Sequence, residues 1–472
     1  MRCTVRTKKT LVFGIGGGML VVGVFLGGFM SMIVDSILKS QLVLSEGSTS
    51  YNNWIELPIP MYMEFYIFNV SNAAEYEQDP TIKPNLVEMG PYVYREYHKR
   101  NITAWNENET VTFQTIRTWY FDEKNSVGPE DDLVTTINVV PAVLNYMSRH
   151  MSTGKKLVVS SLLDITNETM FVTKSVRELM FDGYFDLLLN FTNELSLPIP
   201  FEEFGYFVDR NGSETYDGVF NMYTGESNLD LLGTVANWNY MNETPYFDSP
   251  CNKISGTTGE LWAPIKSTAD VGIFAPDVCS TLKMRYSGEA EIHGLRGYGY
   301  LLSDDVFNAS SAEGACFCLA GRDCAPAGLM NASACRFNAP VFVSRPHFLL
   351  SDPSLAAAVQ GLQPDPDKHN FTLGIEPFTG IPLYVNARLM LNVMLEPVEL
   401  VSFYEKLPGR IYFPAFWFNQ KAVLTEDLAM LAKFIKNASA LGMGLFFGMA
   451  GIGLIMVFVG GILTLRRGWK DS

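Results

Sequence analysis

The sequence predicts an α+β protein in which two terminal transmembrane helices flank one large domain. Three observations predict it. Leu11–Val34 and Ala438–Leu465 each exceed 20 residues without a charge, long enough to span a bilayer core of about 30 Å. Between them, residues 35–437 carry eleven N-x-S/T sequons and six of the seven cysteines, the marks of an oxidising, extracytoplasmic compartment. Inside this domain the apolar spacing changes from strand-like to helical and back. The composition, 47% hydrophobic and 18% charged, excludes a disordered chain. A formal net charge of −15 argues against a nucleic-acid binder, which needs a basic face.

The first span, residues 11–34, follows Arg2, Arg6, Lys8 and Lys9; the second, 438–465, precedes Arg466, Arg467 and Lys470. Basic flanks stay in the cytoplasm, so residues 1–10 and 466–472 are expected as cytoplasmic tails. The first apolar run is longer than the core of a cleaved signal peptide. No Ala precedes Ala73 to supply a small-residue cleavage site, so the run is read as a retained anchor. The tails hold +4 and +2, which leaves −21 on the domain. Gly14/Gly18, Gly23/Gly27 and Gly444/Gly448 offer small faces that would pair the two spans or join copies into a homo-oligomer. Cys3, beside the membrane, is a candidate for S-palmitoylation, with a plain thiol as the alternative.

Residues 35–44 read as a helical continuation of the first span, stopped near Gly47. From Tyr51 to about Asn138 the pattern is strands and turns: Met61–Val70 is aromatic-rich, and Tyr92–Tyr97 follows a Gly-Pro turn. Val111, Phe113 and Thr115 alternate with polar neighbours. Residues 139–190 then show helical spacing three times. Val140, Val143, Leu144, Met147 and Met151 form one set; Val158, Leu162 and Ile165 the second; Val176, Leu179, Met180, Leu187 and Leu188 the third. Strands resume after Pro200 and continue to Pro414. Thr425 is placed to cap a last helix, with Glu426 and Asp427 in its first turn.

The sequons at Asn69, Asn101, Asn108, Asn167, Asn190, Asn211, Asn242, Asn308, Asn331 and Asn370 predict glycosylated, solvent-facing loops; the eleventh, Asn437, lies too near the membrane. Cys251, Cys279, Cys316, Cys318, Cys324 and Cys335 crowd into residues 251–335 and suit disulfides. A metal reading of Cys316-Phe317-Cys318 fails, because no nearby His completes a zinc-type spacing. The sequence has no HExxH, G-x-S-x-G or Walker A motif, so no catalytic residue, metal or cofactor is expected.

Several stretches are distinctive: WIELPIPMYMEFYIFNVSN at 54–72, GPYVYRE at 90–96, FVTKSVREL at 171–179 and DGVFNMYTG at 217–225. They continue with CFC at 316–318, SRPHFL at 344–349 and IEPFTGIPL at 375–383. In this order, over nearly the whole chain, they resemble the class B scavenger receptors of the CD36 family. The resemblance implies an antiparallel β-barrel-like core, an apical helical bundle at 139–190 and an internal hydrophobic tunnel. It implies disulfides Cys251–Cys316, Cys279–Cys335 and Cys318–Cys324. It also implies capture of lipoproteins, fatty acids, sterols, carotenoids or phospholipids and their delivery to the bilayer. The chain departs from the family pattern at Phe181-Asp182-Gly183-Tyr184, where the family has Trp-Gly-Tyr, and at Ser255-Gly256-Thr257, where a sequon is lost. Residues 165–169 lack the lysines that some relatives carry there.

Between Pro141 and Arg177, Arg149, Lys155, Lys156, Lys174 and Arg177 stand against Asp164 and Glu168, a net +3 within a domain of −21. This segment is the expected dock for anionic particles, with His150 adding charge below about pH 6.5. Lys155 and Lys156 follow Gly154 and are expected to project from the turn between the first two helices. A two-span channel subunit shares the topology, but Leu441–Leu463 offers no polar pore-lining position. An enzyme of two-span topology finds no phosphate-cradling segment. A sorting receptor with a protein cargo at the apex is the remaining alternative. The tail RRGWKDS lacks the acidic-dileucine ending of lysosomal relatives, so the plasma membrane is expected, with endosomal or lysosomal membrane as the alternative.

Overall fold

The computed structural model describes residues 5–191, 202–318, 323–466 and 468–469. Helix α1 (Val5–Leu42) runs through the expected span and its continuation without a break. Gly47, at φ +86°, then turns the backbone where a side chain would be strained. Helix α2 (Thr49–Ile55), capped by the Ser48 hydroxyl, leads into strand β1 (Met61–Val70). Buried and half-buried residues alternate along most of β1, the period-two pattern of a strand with one face on a core. Helix α3 (Ala73–Gln78) separates it from β2 (Leu86–Asn106) and β3 (Thr110–Phe121). The Gly90-Pro91 step expected as a turn lies inside β2. Gly90 (φ +150°) sits beside an irregularity of β1 between Phe65 and Ile67, where a Cβ would come within 2.6 Å of the Phe65 carbonyl oxygen.

After β4 (Leu133–Ile137) come helices α4 (Val139–Ser148) and α5 (Thr153–Ile165). The third expected helix forms only as short pieces. Phe171–Ser175, just before it, is strand β5, drawn into extended form by its pairing with β4. Residues 176–182 are helical and carry Val176, Leu179 and Met180, with a wider π turn over Glu178–Asp182; Leu187 and Leu188 lie in a separate 3-10 turn, Leu187–Phe191. Strands β6 (Tyr184–Phe185) and β7 (Glu203–Phe204) pair with each other. There follow β8 (Val219–Tyr223), β9 (Val235–Trp238), β10 (Val271–Ala275), β11 (Ser280–Ile292), β12 (Leu295–Leu302), β13 (Met330–Asn331) and β14 (Val341–Ser344). Short helices α6 (Pro353–Ala357) and α7 (Pro366–His369) precede β15 (Thr372–Ile375), β16 (Pro382–Leu395) and β17 (Ile411–Val423).

Thirteen antiparallel strands make one sheet in the order β10-β11-β12-β15-β16-β17-β1-β2-β3-β8-β9, with β14 and β13 branching from β16. Gly256 and Thr257 draw its two edges together. The Val235 amide donates to the Gly256 carbonyl (2.8 Å), the Thr257 amide to Gly272 (3.0 Å) and the Phe274 amide to Thr257 (2.8 Å). The sheet is thereby a nearly closed barrel. Gly256 has φ +75°, and a Cβ there would overlap the Gly272 carbonyl, so glycine alone fits this seam.

Two cores form inside the domain. The larger joins Phe65, Tyr94, Phe413 and Phe416 of the sheet to Val143 of α4 and Leu163 of α5. The smaller packs Leu282, Met284, Tyr300 and Leu373 against Phe317 of the cysteine region. Disulfides Cys251–Cys316, Cys279–Cys335 and Cys318–Cys324 staple that region. On the same face of β2 as Tyr92 and Tyr94, His98 bridges Glu96 (2.6 Å) and Glu260 (2.5 Å). Arg210 joins buried Asp217 (2.9 Å) to the partly exposed Asp277 (3.0 Å), so the buried guanidinium and the Asp217 carboxylate compensate each other.

The terminal unit is α1 packed on helix α8 (Glu426–Leu465), which has Thr425 at its N-cap without a side-chain hydrogen bond. Both helices are long and apolar enough to cross a membrane. A Cβ on Gly23 would lie 2.5 Å from the Phe446 carbonyl oxygen, and one on Gly453 2.5 Å from that of Gly16. The Gly23/Gly27 face therefore serves the pairing of the helices. Gly14, Gly18, Gly444 and Gly448 meet nothing within 4 Å.

Candidate ligand-binding apex

The candidate surface is built on α4 and α5. Asn138, just before α4, donates its backbone amide to the Met170 carbonyl (2.9 Å) and its side-chain amide to Glu168 Oε2 (2.8 Å). These bonds tie the start of α4 to the segment that follows α5. α4 is apolar on every side and buried from Val139 to Tyr146, with Asn145 donating to the Glu396 carbonyl (3.0 Å). α5 buries only Val159 and Leu163. Its inner side is pinned where the Ser160 hydroxyl accepts the Ser402 amide (2.9 Å) and Asp164 accepts the Ser402 hydroxyl (2.8 Å).

The outer side of α5 is unusual for a helix of a water-facing domain. Leu157 and Val158 are half exposed, and Ile165 is 79% exposed. Lys155 is exposed and Lys156 half-buried, and neither forms an ion pair among the described residues. Both stand in the first turn of α5, not in the preceding turn where the sequence suggests them. Two cations at the positive end of a helix dipole each cost roughly 0.3–1 kcal/mol, and no acidic residue in that turn offsets them. Helix stability does not account for this placement.

The remaining basic candidates are engaged. Arg149 lies 3.5 Å over the Tyr146 ring, donates to the Tyr146 carbonyl (2.7 Å) and reaches Glu396 (3.8 Å). Lys174, on β5, sits 4.5 Å over the Tyr184 ring. Arg177 is surrounded by Glu130, Asp131 and Asp182. His150 is exposed just past α4. The count of +3 thus overstates the island, because Glu130, Asp131 and Glu396 arrive from outside the segment. What remains is the lysine pair in the first turn of α5, followed by exposed Leu157 and Val158, with exposed Ile165 at the far end of the helix. The sequence carries that signal weakly: Leu157, Val158 and Ile165 sit on a 13-residue helix with too few neighbours to bury them all.

Glu168 is a further group that motif reading misses. Burial, and next the charge of nearby Asp186, push its carboxyl up to about 7, against the lowering effect of the Asn138 hydrogen bond. Burial raises Asp186 as well.

The other predicted positions are spread over the domain. Asn108, Asn167, Asn190, Asn211, Asn242 and Asn308 are exposed, and Asn69, Asn101 and Asn370 half-buried. Asn331 departs from the expected open loop. It lies on β13, paired with β14, at 6% exposure, and its side-chain oxygen accepts the Ser333 amide (2.9 Å). Cys3 lies outside the described residues.

A disulfide-stapled antiparallel barrel, preceded and followed in the chain by apolar helices of 38 and 40 residues, defines a membrane protein with one large folded domain. The chain belongs to the CD36 family, whose sequence pattern matches residues 14–464. It is 34% identical to Scavenger receptor class B member 1 of Cricetulus griseus over 424 residues, covering 86% of this chain and 81% of that relative. It is 30% identical to Protein peste of Drosophila melanogaster over 401 residues, covering 82% of this chain and 70% of the relative. With Lysosome membrane protein 2 of Rattus norvegicus it shares 30% identity over 430 residues, 88% of each chain.

Proposed function

We propose that this chain is a cell-surface scavenger receptor that captures lipoproteins or lipids and passes lipid through a hydrophobic tunnel of the barrel to the membrane. The observation that carries the reading is the display of α5, whose first turn carries Lys155 and Lys156 next in sequence to exposed Leu157 and Val158, with exposed Ile165 at the other end of the helix. A basic and apolar surface suits a particle coated with anionic and amphipathic molecules: charge steers the encounter and apolar contact holds it. Membership of the CD36 family and likeness to proteins named scavenger receptors support the same reading. In this reading residues 35–437 form the outer domain, glycosylated at its exposed sequons, and both tails are cytoplasmic. Gly14/Gly18 and Gly444/Gly448 supply a face for a second copy in the bilayer.

The test is uptake of doubly labelled lipoprotein, with protein and lipid followed separately, by cells expressing this chain. Lys155→Glu with Lys156→Glu is expected to cut particle binding at low salt, with surface expression unchanged. Binding equal to that of the parent at every salt concentration would remove α5 from the dock. A protein cargo in place of lipid would show as particle-independent binding that survives removal of all lipid. Uptake of protein and lipid in equal proportion would count against a tunnel and favour whole-particle internalisation.

A further inference from the structure

Far along the chain from α5, strands β10 and β11 and the loops around Cys251 and Phe317 enclose a cavity of about 350 Å³. Its apolar lining comes from Val271, Val306 and Phe317. Four charged side chains share it: Lys253, Asp270, Lys283 and Glu313. The Lys283 amine is 2.8 Å from Glu313 Oε1 and 3.5 Å from Asp270, so these three groups together carry −1. Glu313 Oε2 is buried without a hydrogen-bond partner among the described residues. Lys253 is exposed and forms no ion pair among the described residues.

Each leftover has a chemical requirement. The Glu313 side chain is 36% exposed, but its Oε2 atom is covered and has no donor, a lack that an N–H cation would relieve. A free ammonium at the rim offers a point charge to an anion. A cavity with one net negative and one positive end is neutral as a whole and matches a zwitterion. Its size lies at the lower end of ligand pockets, enough for a head group but not for a lipid with its chains.

We propose that this cavity binds the ethanolamine phosphodiester head group of a lipid, with the ammonium donating to Glu313 Oε2 and Asp270 and the phosphate on Lys253. The proposal rests on the lipid-receptor reading and deepens it. It also makes a chemical distinction. A choline head group carries the same charges but no N–H, so it leaves Glu313 Oε2 unsatisfied.

The experiment uses the full chain in a maltoside detergent free of phospholipid, titrated calorimetrically with glycerophosphoethanolamine, glycerophosphocholine and inorganic phosphate. Glycerophosphoethanolamine is expected to bind saturably and about tenfold more tightly than glycerophosphocholine, the worth of one charge-assisted hydrogen bond. Inorganic phosphate, which brings no N–H donor for Glu313 Oε2, is expected to bind more weakly than glycerophosphoethanolamine. Glu313→Gln and Lys253→Glu should each weaken glycerophosphoethanolamine by a similar factor without lowering the unfolding temperature. Should Glu313→Gln fail to fold, Lys253→Glu, at an exposed position, decides alone. Absence of saturable binding, equal affinity for the two head groups, or indifference to the substitutions overturns the site. Lipid uptake by cells expressing the parent chain is measured alongside. Uptake without head-group binding overturns this site and leaves the receptor reading standing, whereas absence of uptake overturns that reading itself.

Discussion

Helices α4 and α5 are neighbours of similar length, yet they spend their apolar residues in opposite ways. α4 buries nearly every residue, including its polar Asn145 and Ser148, and is fixed to the chain at Glu396. α5 buries two positions and leaves Leu157, Val158 and Ile165 in contact with solvent. One helix is scaffold and the other is display. The difference teaches that an amphipathic pattern reports which residues are apolar, not whether the fold supplies a partner for them.

The largest expected effect tests the scaffold half of this comparison. Leu144→Ala removes a buried side chain of α4 and should lower stability by about 2–5 kcal/mol, read by chemical unfolding of the full chain. The counterpart on the display helix, Ile165→Ala, should change stability by less than about 0.5 kcal/mol while reducing particle binding. A stability loss as large as that of Leu144→Ala would collapse the distinction between the two helices.

A smaller effect concerns the link between them. Folded Glu168 holds its proton up to about pH 7, whereas an unfolded carboxyl releases it near about 4.3. Between those values the folded state binds more protons, so this group's contribution to stability is full below the unfolded value and is lost as pH rises through 7. Glu168→Gln, which keeps an acceptor for Asn138, should therefore flatten the rise in unfolding temperature between pH 7.5 and 5.5. An unchanged pH profile would show that Glu168 does not couple the helices to pH. The smallest effect is ionic. The deficit of the Lys155→Glu, Lys156→Glu variant should shrink as salt approaches 0.15 M, where the Debye length is about 8 Å.

Much of the architecture was legible in the sequence, because its signals are local or long. Charge-free runs mark α1 and α8, an aromatic-rich run marks β1 over the same residues the structure assigns, Met61–Val70, and alternation marks the start of β3. The third helical set is realised only in pieces, at residues 176–182 and Leu187–Phe191, and its start is set by Phe171–Ser175, whose partner β4 lies more than thirty residues away in sequence. Likewise, Arg177 looks free until Glu130 and Asp131 are folded against it. Asn331 shows the same limit, since no sequon reveals that its strand will be covered by β14. The buried bridge of His98 between Glu96 and Glu260 joins residues 162 positions apart, beyond the reach of any motif.

The seam at Gly256 and Thr257 has a mechanical consequence. Every other joint of the barrel wall is a strand pair, but here three backbone hydrogen bonds hold two edges through a strip two residues wide. Those bonds contribute about 1 kcal/mol each, and beyond them the contact across this line is side-chain packing, with the Trp238 and Phe274 rings 5.4 Å apart. The wall thus has a grain, like wood, and splits first along it. Deuterium should enter the amides of Val235, Thr257 and Phe274 well ahead of those between β16 and β17, and a bulky guest pressing from within would find the same line of least resistance.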